Sequence, residues 1–419
     1  MDADAFFVAV ARLADPEGAG RARLLIVGGS PKGRGVVTSA SYEARQYGVR
    51  SAMPMARALR LCPRAMRVGV PFGLCREKSR EIRAVLERFA PLVASASIDE
   101  WYLDLAGTEA LYDGEPLHET AHRMREAVFA ETGLSVSVGG GTSRLVAKLA
   151  VERAKPKPGS GADGVHVVPP GTEPAFLRTF MLADIPGVGP KLQQRLARVG
   201  LESVPDLLAA DPAMLERLTN ARAAAWLRER CLGLDDSPVR ARERAKSISR
   251  DETFARDLHE DAELDRELWR LVVRAAGDLR QAGLQARTVT VRLRDADFTT
   301  RQASRTVRTP LTSERAIGTI CVELLRRLRR ARRVGARLVG VGLSGFGIEG
   351  AVQLPLFDED WGMRARAEKQ GGSSGLTRPD PEREQLLSDT LDQVRSRFGR
   401  ESIVPGTLVP DSTARNRES

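Results

Sequence analysis

The chain has 419 residues, 42% of them hydrophobic and 29% charged, values typical of a soluble globular protein, and a chain of this length is expected to form two to four domains. No apolar run approaches the ~20 residues of a membrane span, no basic leader precedes an apolar segment, and the four cysteines form no CxxC pair, so we expect a cytoplasmic protein without membrane contact, disulfide framework or zinc site. The net charge is +10, and residues 241–348 hold 23 Lys and Arg against 14 Asp and Glu, a local excess that indicates a polyanionic partner such as nucleic acid.

The N-terminal third predicts one sheet covered by helices and interrupted by an insertion. Apolar periodicity predicts strands at 2–10, 93–98, 101–105 and 134–139, and helices at 73–90 and 115–132. The order is βαββαβ, and residues 11–72 are inserted after the first strand with a small element set of their own.

Two adjacent carboxylates, Asp99 and Glu100, lie at the predicted bend between two of these strands. Because side-chain alternation fails at a bend, both can face one place, and Asp2 joins them if the first strand lies beside this hairpin. Three clustered acids repel one another unless cations lie between them, and hard oxygen ligands suit Mg²⁺ or Mn²⁺. Two such ions would serve a phosphoryl transfer, whereas an ordinary group of surface acids is the alternative.

Two histidines, His118 and His122, have the i, i+4 spacing of neighbours on one helix face. No third metal ligand is evident from the sequence, so we interpret the pair as part of a solvated helix face.

Residues 160–231 predict a helical region, followed by a polar linker at 232–246. The segment IPGVGP (185–190) places Gly187 and Gly189 in a tight turn before a helix that starts near Pro190. Backbone N–H groups at such a helix start can bind phosphate, which is typical of a helix-hairpin-helix that contacts the DNA backbone. Gly187, Gly189 and the neighbouring Lys191 are the candidate contacts.

Residues 247–348 repeat the βαββαβ order, with both helices on one face of the sheet. Val289, Val291 and Leu293 alternate with Thr and Arg along one strand, so the opposite face is rich in hydroxyl and guanidinium groups. This face predicts contact with phosphate backbones, and a merely solvated face is the alternative. The candidate DNA contacts are Arg292, Arg294, Arg301 and Arg305.

Residues 349–419 are mostly polar and predict a disordered tail with a weak helix at 384–398. The apolar segment QLPLF (353–357) stands within this tail. We interpret it as a docking peptide, and a cluster that packs back on its own domain is the alternative.

Seven motifs taken together resemble the Y-family DNA polymerases, the lesion-bypass enzymes, and most closely the bacterial DNA polymerase IV branch. They occur in order over residues 1–357: DADAFF (2–7), SASYEAR with YGVRSAMP (39–54), SIDEWYLDL (97–105), AKPKPG (154–159), IPGVGP (185–190), KSISRDETF (246–254) and QLPLF (353–357).

The resemblance implies an α+β multidomain protein with the right-hand architecture of polymerases. Its parts would be a βαββαβ palm (1–10 and 73–159), small fingers (11–72), a helix-hairpin-helix thumb (160–231), a linker (232–246), a βαββαβ little finger (247–348) and a mostly disordered tail (349–419).

The resemblance also assigns roles to individual residues. Asp2, Asp99, Glu100 and the Ala3 carbonyl would hold two Mg²⁺ ions, or Mn²⁺ in their place. Phe7 would be a steric gate against the ribose 2′-hydroxyl, while Phe6 packs in the core. The triphosphate contacts would be Ser39, Tyr42, Arg45 and Lys155, and the contacts to the sliding clamp (beta subunit) would be Gln353, Leu354, Leu356 and Phe357.

The implied activity is template-directed, low-fidelity translesion synthesis by a monomer, with primer–template DNA, dNTP and the clamp as partners. A non-catalytic DNA- and clamp-binding scaffold and a two-metal nuclease are the alternatives. Three departures from the family are expected to matter. The first strand starts one residue before Asp2, the bulky Trp101 follows the acids, where its ring would lie near the primer, and the tail after residue 357 is long, with a helix at 384–398 that has no assigned role.

Overall fold

The computed structural model describes residues 1–157, 159, 161–240, 244–348, 381–399 and 402–408. The chain divides into two compact units, Met1–Glu243 and Arg244–Ser419. No helix in the described ranges is long and apolar enough to cross a membrane.

The first unit begins with a very short strand, β1 (Asp2–Ala3), followed by helix α1 (Phe6–Ala14). The prediction of one strand over residues 2–10 is therefore wrong. Ala5 has left-handed backbone angles (φ 45°), which turn the chain out of the strand and into the helix. The helix buries Phe6 and Val10 in one apolar core and Val8 in another, and such two-sided burial produces a continuous apolar run that periodicity does not distinguish from a strand.

The inserted segment forms a small sheet with its own core. Its elements are β2 (Leu25–Gly28), β3 (Val37–Ala40), α2 (Tyr42–Gln46), α3 (Met55–Leu61) and β4 (Met66–Val68). Strand β2 is central, antiparallel to β3 and parallel to β4. Ile26, Val37 and Met55 fill the core between this sheet and its two helices.

The strand β1 lies between two other parts of the sheet that carries the candidate acids. The elements that follow the insertion are α4 (Phe72–Leu86), β5 (Leu92–Ser95), β6 (Trp101–Asp104), α5 (Leu117–Thr132), β7 (Val136–Gly140), α6 (Arg144–Ala154) and β8 (Val165–Val167). Strand β1 pairs antiparallel with β7, and a bridge between Asp2 and Glu100 joins it to the β5–β6 hairpin. Strand β8 pairs parallel with β7, so the sheet reaches into residues that were predicted to be helical.

The helical region that follows consists of short helices with well-defined starts. They are α7 (Glu173–Leu177), α8 (Pro190–Ala197), α9 (Val204–Ala209), α10 (Pro212–Leu218) and α11 (Ala221–Cys231). Side chains of Ser203, Asp211 and Asn220 accept hydrogen bonds from backbone N–H groups at the starts of the last three helices. The predicted helix start at Pro190 is confirmed.

The second unit has the predicted βαββαβ order. Its elements are β9 (Ser247–Leu258), α12 (Asp261–Gln281), β10 (Leu284–Asp295), β11 (Thr300–Leu311), α13 (Glu314–Ala331) and β12 (Ala336–Ile348). The antiparallel sheet has the order β11-β10-β12-β9. Both helices contribute to one apolar core with the sheet, including Leu268, Leu324 and Val291, so the prediction of both helices on one face is confirmed.

Two of the four arginines predicted on the open face of this sheet lie on its helix-covered face instead. Arg301 and Arg305 of β11 stand opposite Leu293 and Val289 of β10, which are fully buried, and residues directly opposite share a face. Arg301 pairs with the buried Asp295 at 2.8 Å, and Arg305 pairs with Glu323 of α13. The prediction that these two arginines contact DNA from the open face is therefore wrong.

The other two arginines face the open side as predicted. Arg292 pairs with Asp251 of β9 at 2.8 Å, and Arg294 donates to the Thr300 hydroxyl at 2.9 Å. Hydroxyl pairs between Thr288 and Thr306 and between Thr290 and Ser304 lie on the same face.

A last helix, α14 (Pro381–Phe398), packs on the second unit through a buried ionic network. Glu314 at the start of α13 contacts Arg280 of α12 at 3.0 Å and also Arg395 of α14, and Arg280 contacts Asp392 at 2.6 Å. The helix predicted at 384–398 is confirmed and begins three residues earlier. The predicted clamp contacts Gln353, Leu354, Leu356 and Phe357 lie outside the described residues.

Candidate active site

The backbone brings Asp2, Asp99 and Glu100 onto neighbouring strands. Asp99 lies in the bend at 96–99, Glu100 forms the bridge to Asp2, and the Ala3 N–H donates to the Asp99 carbonyl at 2.9 Å. The first strand thus lies beside this hairpin, which is the arrangement under which Asp2 can join the other two acids. Ala3 itself is buried at the centre of this arrangement.

The three side chains have different partners. Asp2 Oδ2 lies 3.3 Å from Lys155 Nζ, Glu100 forms an ion pair with Lys148, and Asp99 accepts a hydrogen bond from the Ser97 hydroxyl. Within the described ranges, these three acids do not form a group whose ligand atoms all lie within 4.8 Å of one another. The structure therefore places the acids on adjacent strands without converging their carboxylates on one point.

Burial and nearby charges both shift the pKa values of Asp2 and of the two lysines that contact the acids. Burial raises the pKa of Asp2, the Asp99 charge raises it further, and Lys155 opposes the rise. Burial favours a lower pKa for Lys155, but the charges of Asp2 and Glu152 raise it overall. For Lys148, burial again lowers the pKa while the hydrogen bond to Glu100 raises it overall. Both lysines therefore stay charged beside the acids at neutral pH.

Lys148 is a site residue that the sequence analysis missed. It lies on α6 seven residues before Lys155, the residue that ends this helix, and seven residues are about two helical turns. The two lysines therefore share one face of α6. This spacing, counted back from Lys155, was the available signal.

The hydroxyl and arginine residues of the inserted segment lie together at the start of α2. Arg45 Nη2 lies 3.4 Å from the Ser39 hydroxyl oxygen, and its guanidinium carbon is 5.2 Å from the centre of the Tyr42 ring. Burial raises the pKa of the Tyr42 hydroxyl, with a further rise from Asp4, and the charges of Lys155 and Asp2 also act on it. Tyr42 is thus near the acids as well as near Arg45.

Three side chains close to the acids in sequence, Phe6, Phe7 and Asp4, have different surroundings. Phe6 is buried in the core as expected, whereas Phe7 is only partly buried, with its ring centre 5.4 Å from that of Phe6. Asp4 accepts hydrogen bonds from the hydroxyls of Ser135 and Ser137 at 2.8 and 2.7 Å, which makes it a structural carboxylate.

Trp101 does not lie where the sequence placed it. Its side chain is fully buried in the core below the sheet, because strand alternation turns it away from the side of Glu100. The expectation of a bulky ring near the primer is therefore wrong.

A cavity of about 770 Å³ opens beside the acids. Asp2, Glu100, Lys148, Tyr102 and Arg144 are among the residues that line it. The Arg144 guanidinium carbon lies 4.3 Å from the Tyr102 ring centre, and the charges of Lys148 and Glu100 act on the pKa of Tyr102, so cationic and aromatic surface lies directly beside the acids.

The donor set fits hard divalent cations. Three carboxylates and the Ala3 carbonyl are all oxygen ligands, the type that Mg²⁺ and Mn²⁺ prefer, and no thiol or imidazole is among them.

The predicted phosphate contacts of the helical region are accessible. Gly187, Gly189 and Lys191 are all exposed at the start of the eight-residue helix α8. Gly187 has φ 99°, a conformation that few residues other than glycine adopt, so the tight turn requires it.

Family models match most of the chain. The impB/mucB/samB family model matches residues 1–152, and the model of its C-terminal domain matches residues 245–356. A model described as a SAM-like helix-hairpin-helix tandem matches residues 180–229.

Curated relatives named DNA polymerase IV are similar over nearly their whole length. The protein of Dehalococcoides mccartyi (strain CBDB1) is 34% identical over 407 residues, which cover 97% of this chain and 96% of the relative. That of Halorhodospira halophila is 38% identical over 345 residues, covering 82% of this chain and 94% of the relative.

Solved structures of Y-family polymerases have the same fold. A Y-family DNA polymerase chimera, Dbh-Dpo4(243-245)-Dbh, matches with a TM-score of 0.72 at 25% identity, over 83% of this chain and 98% of the other. An insertion ternary complex of Dbh DNA polymerase matches with a TM-score of 0.57 at the same identity and coverage.

Proposed function

The chain belongs to the Y-family DNA polymerases, on the DNA polymerase IV branch, and on this premise we propose that it performs low-fidelity translesion synthesis. It would add dNTPs to a primer 3′-hydroxyl opposite damaged template bases. The observation that carries the proposal is the bridge of Asp2 to Glu100, with Lys155 and Tyr42 beside it.

Divalent cations are general in such enzymes, and we propose Mg²⁺, with Mn²⁺ as a substitute. Asp2, Asp99, Glu100 and the Ala3 carbonyl are the residues that would hold two ions. When bound, the ions supply neutralisation of phosphate charge and a more acidic attacking hydroxyl. Asp2 would exchange its Lys155 contact for these cations, and Lys148 would keep Glu100 positioned.

The incoming triphosphate would bind between the inserted segment and α6. Arg45 and Lys155 supply positive charge, and the Ser39 and Tyr42 hydroxyls donate to phosphate oxygens. Their present contacts with one another support this role because they hold the groups in one place before the nucleotide binds.

Phe7 would select deoxyribonucleotides. It is a partly exposed ring in the first turn of α1, five residues after Asp2, whereas Phe6 is buried in the core. A ring at this position would crowd a ribose 2′-hydroxyl and leave a deoxyribose unhindered.

Primer–template DNA would be held by backbone contacts at two places. Gly187, Gly189 and Lys191 would bind phosphate at the start of α8, and Arg292 and Arg294 would do so from the open face of the second unit. Gln353, Leu354, Leu356 and Phe357 would dock on a sliding clamp.

Primer extension with the purified chain tests this function. The wild type with Mg²⁺ should extend a primer on both an intact and a lesion-containing template. Asp99→Ala should lower the rate by roughly a thousandfold, because it removes an ion ligand. Glu87→Ala is the matched control, since Glu87 is an exposed carboxylate paired with Arg83 on α4.

Two outcomes would favour other functions. Absence of extension by the wild type, with DNA binding retained, would indicate the non-catalytic scaffold. Degradation of DNA without added nucleotides would indicate the two-metal nuclease.

A further inference from the structure

Two histidines on α5 have a third potential metal ligand that the sequence did not reveal. His118 and His122 lie one turn apart on this helix, and Asp163 lies in the loop before β8. One ligand atom from each of the three residues lies within 4.8 Å of the other two. The solvated helix face predicted from the sequence is thus part of a three-residue cluster.

The spacing suits a tetrahedral cation. Ligand bonds of ~2.0–2.1 Å to zinc place tetrahedral ligand atoms ~3.3 Å apart. The separation of His122 Nε2 and Asp163 Oδ2 is 3.3 Å, and the centres of the two imidazole rings are 4.7 Å apart. Small rotations of exposed side chains would therefore complete the geometry.

The Asp163 carboxylate is oriented to act as a metal ligand. Asp163 Oδ1 accepts a hydrogen bond from the Val165 N–H at 3.0 Å, which leaves Oδ2 directed at His122. The Val165 N–H, and then the nearby His122, hold the pKa of Asp163 below its ordinary value, so the carboxylate is ionised at neutral pH. The side chains of His122 and Asp163 are 32% and 57% exposed, which gives an ion access from solvent.

We propose that His118, His122 and Asp163 bind one late first-row divalent cation, with Zn²⁺ as the best match and water as the fourth ligand. Two imidazoles and one carboxylate suit Zn²⁺, Co²⁺ and Ni²⁺ rather than Mg²⁺, which prefers all-oxygen sites. The site is therefore chemically distinct from the group of Asp2, Asp99 and Glu100.

A bound cation would join two parts of the first unit. It would link α5 to the loop that follows α6, the helix that carries Lys148 and ends at Lys155. The consequence is stabilisation of the folded chain by metal binding, because the three ligands are brought together only in the folded state.

Calorimetric titration of the full-length, chelator-treated chain with ZnCl₂ tests the proposal. Excess Mg²⁺ is present throughout so that it occupies the oxygen ligands. We expect one Zn²⁺ per chain, and at least a tenfold loss of affinity in both His122→Gln and Asp163→Asn. His259→Gln, a histidine of the second unit, should leave binding unchanged. Zn²⁺ should raise the Tm of the wild type and not that of the two ligand variants, each confirmed as folded by circular dichroism.

Three results would overturn the proposal. The first is no saturable binding by the wild type, which would leave His122 and Asp163 as a simple polar contact. The second is unchanged affinity in the ligand variants. The third is Zn²⁺ binding that is seen in a parallel titration without Mg²⁺ and is absent with excess Mg²⁺, which would assign it to the oxygen ligands of Asp2, Asp99 and Glu100.

Discussion

Lys148 and Lys155 share one face of α6, and each contacts a different carboxylate of the candidate site. The three acids were predicted from the hairpin bend and the first strand, and Lys155 from the family resemblance, because each lies in a short recognisable motif of the chain. Lys148 contacts Glu100 only through tertiary packing of α6 against the sheet. A sequence read one motif at a time does not reveal such a contact, although the two-turn spacing is consistent with it.

Trp101 and Asp4 illustrate a second limit at the residue scale. Both lie within two residues of a predicted ion ligand, and neither belongs to the site. Trp101 is buried in the core, and Asp4 accepts hydrogen bonds from the hydroxyls of two serines. Strand alternation turns Trp101 away from Glu100, and Asp4 lies beyond the end of β1, so closeness in sequence to an ion ligand does not place a side chain in the site.

Gly187 is expected to be the residue of the tight turn that is most sensitive to substitution. An added Cβ would lie 2.7 Å from the Trp226 ring, and φ is 99°. Gly187→Ala should lower the free energy of unfolding of this region by roughly 2–4 kcal/mol through strain and overpacking. Urea unfolding followed by circular dichroism measures it.

Gly189→Ala is the matched control for that experiment. A Cβ at this position meets nothing within 4 Å, and φ is −80°. We expect a change of no more than about 0.5 kcal/mol. Equal losses in the two variants would show that the Trp226 contact has no special role.

The four cysteines are all buried and free, which predicts slow chemical modification. Burial raises the pKa of Cys231 to about 11 and that of Cys321 to about 12. At pH 8 a thiol reagent should modify none of the four rapidly, and all four after unfolding in urea. Glu77→Cys adds a thiol at an exposed position of α4 beside Cys75 and should react at once.

The raised pKa values of the buried thiols also predict how the free energy of unfolding changes with pH. Unfolded thiols ionise near their ordinary pKa of 9.0, while the folded ones stay protonated, so the unfolded chain releases protons first. Stability contributed by the buried thiols is present below about pH 9 and is lost as the pH rises towards 11. Midpoints of urea unfolding that rise over this interval would contradict it.

At the scale of elements, the second unit was predicted closely and the first strand was not. The helices and strands between residues 247 and 348 follow the predicted order. In this part of the chain, segments with an apolar residue at every second position take turns with segments of helical apolar spacing, so each element is recognisable. Residues 2–10 were predicted as one strand because their apolar residues form a continuous run. Most of this run belongs to helix α1, which is buried on two sides. Arg301 and Arg305 were assigned to the wrong face because composition, rather than register against β10, was used to place them.

Helix α14 is expected to depend on its buried arginine. The Arg395 side chain is 9% exposed and pairs with Glu314, which is 10% exposed. Breaking a buried pair costs roughly 3 kcal/mol or more, so Arg395→Ala should speed amide hydrogen exchange in residues 386–398 by about a hundredfold. Exchange measured by mass spectrometry reports this locally.

Arg397→Ala provides the control in the same turn of α14. Arg397 is exposed, with its guanidinium carbon 5.3 Å from the Phe398 ring centre, so its removal should change exchange little. Equal exchange in wild type and Arg395→Ala would indicate that apolar contacts, rather than the ionic network, hold the helix.

At the scale of the whole molecule, QLPLF lies in the stretch between the end of β12 and the start of α14. Deletion of residues 353–357 should abolish capture by an immobilised sliding clamp while leaving extension of a short primer unchanged, since no site residue is removed. Leu387→Ala, at an exposed position of α14, should retain capture. Retention of capture by the deletion would place the clamp contact elsewhere.

The second unit is expected to fold on its own. Its core is built only from its own residues, from Phe254 on β9 to Leu343 on β12, and its length is that of a typical domain. A fragment of residues 244–408 should unfold cooperatively, as followed by circular dichroism. A fragment starting at residue 259 lacks β9, which pairs with β12 and supplies Phe254 and Leu258 to the core, so it should not fold. Non-cooperative melting of the longer fragment would mean that the first unit is required, and cooperative melting of both would mean that β9 is dispensable.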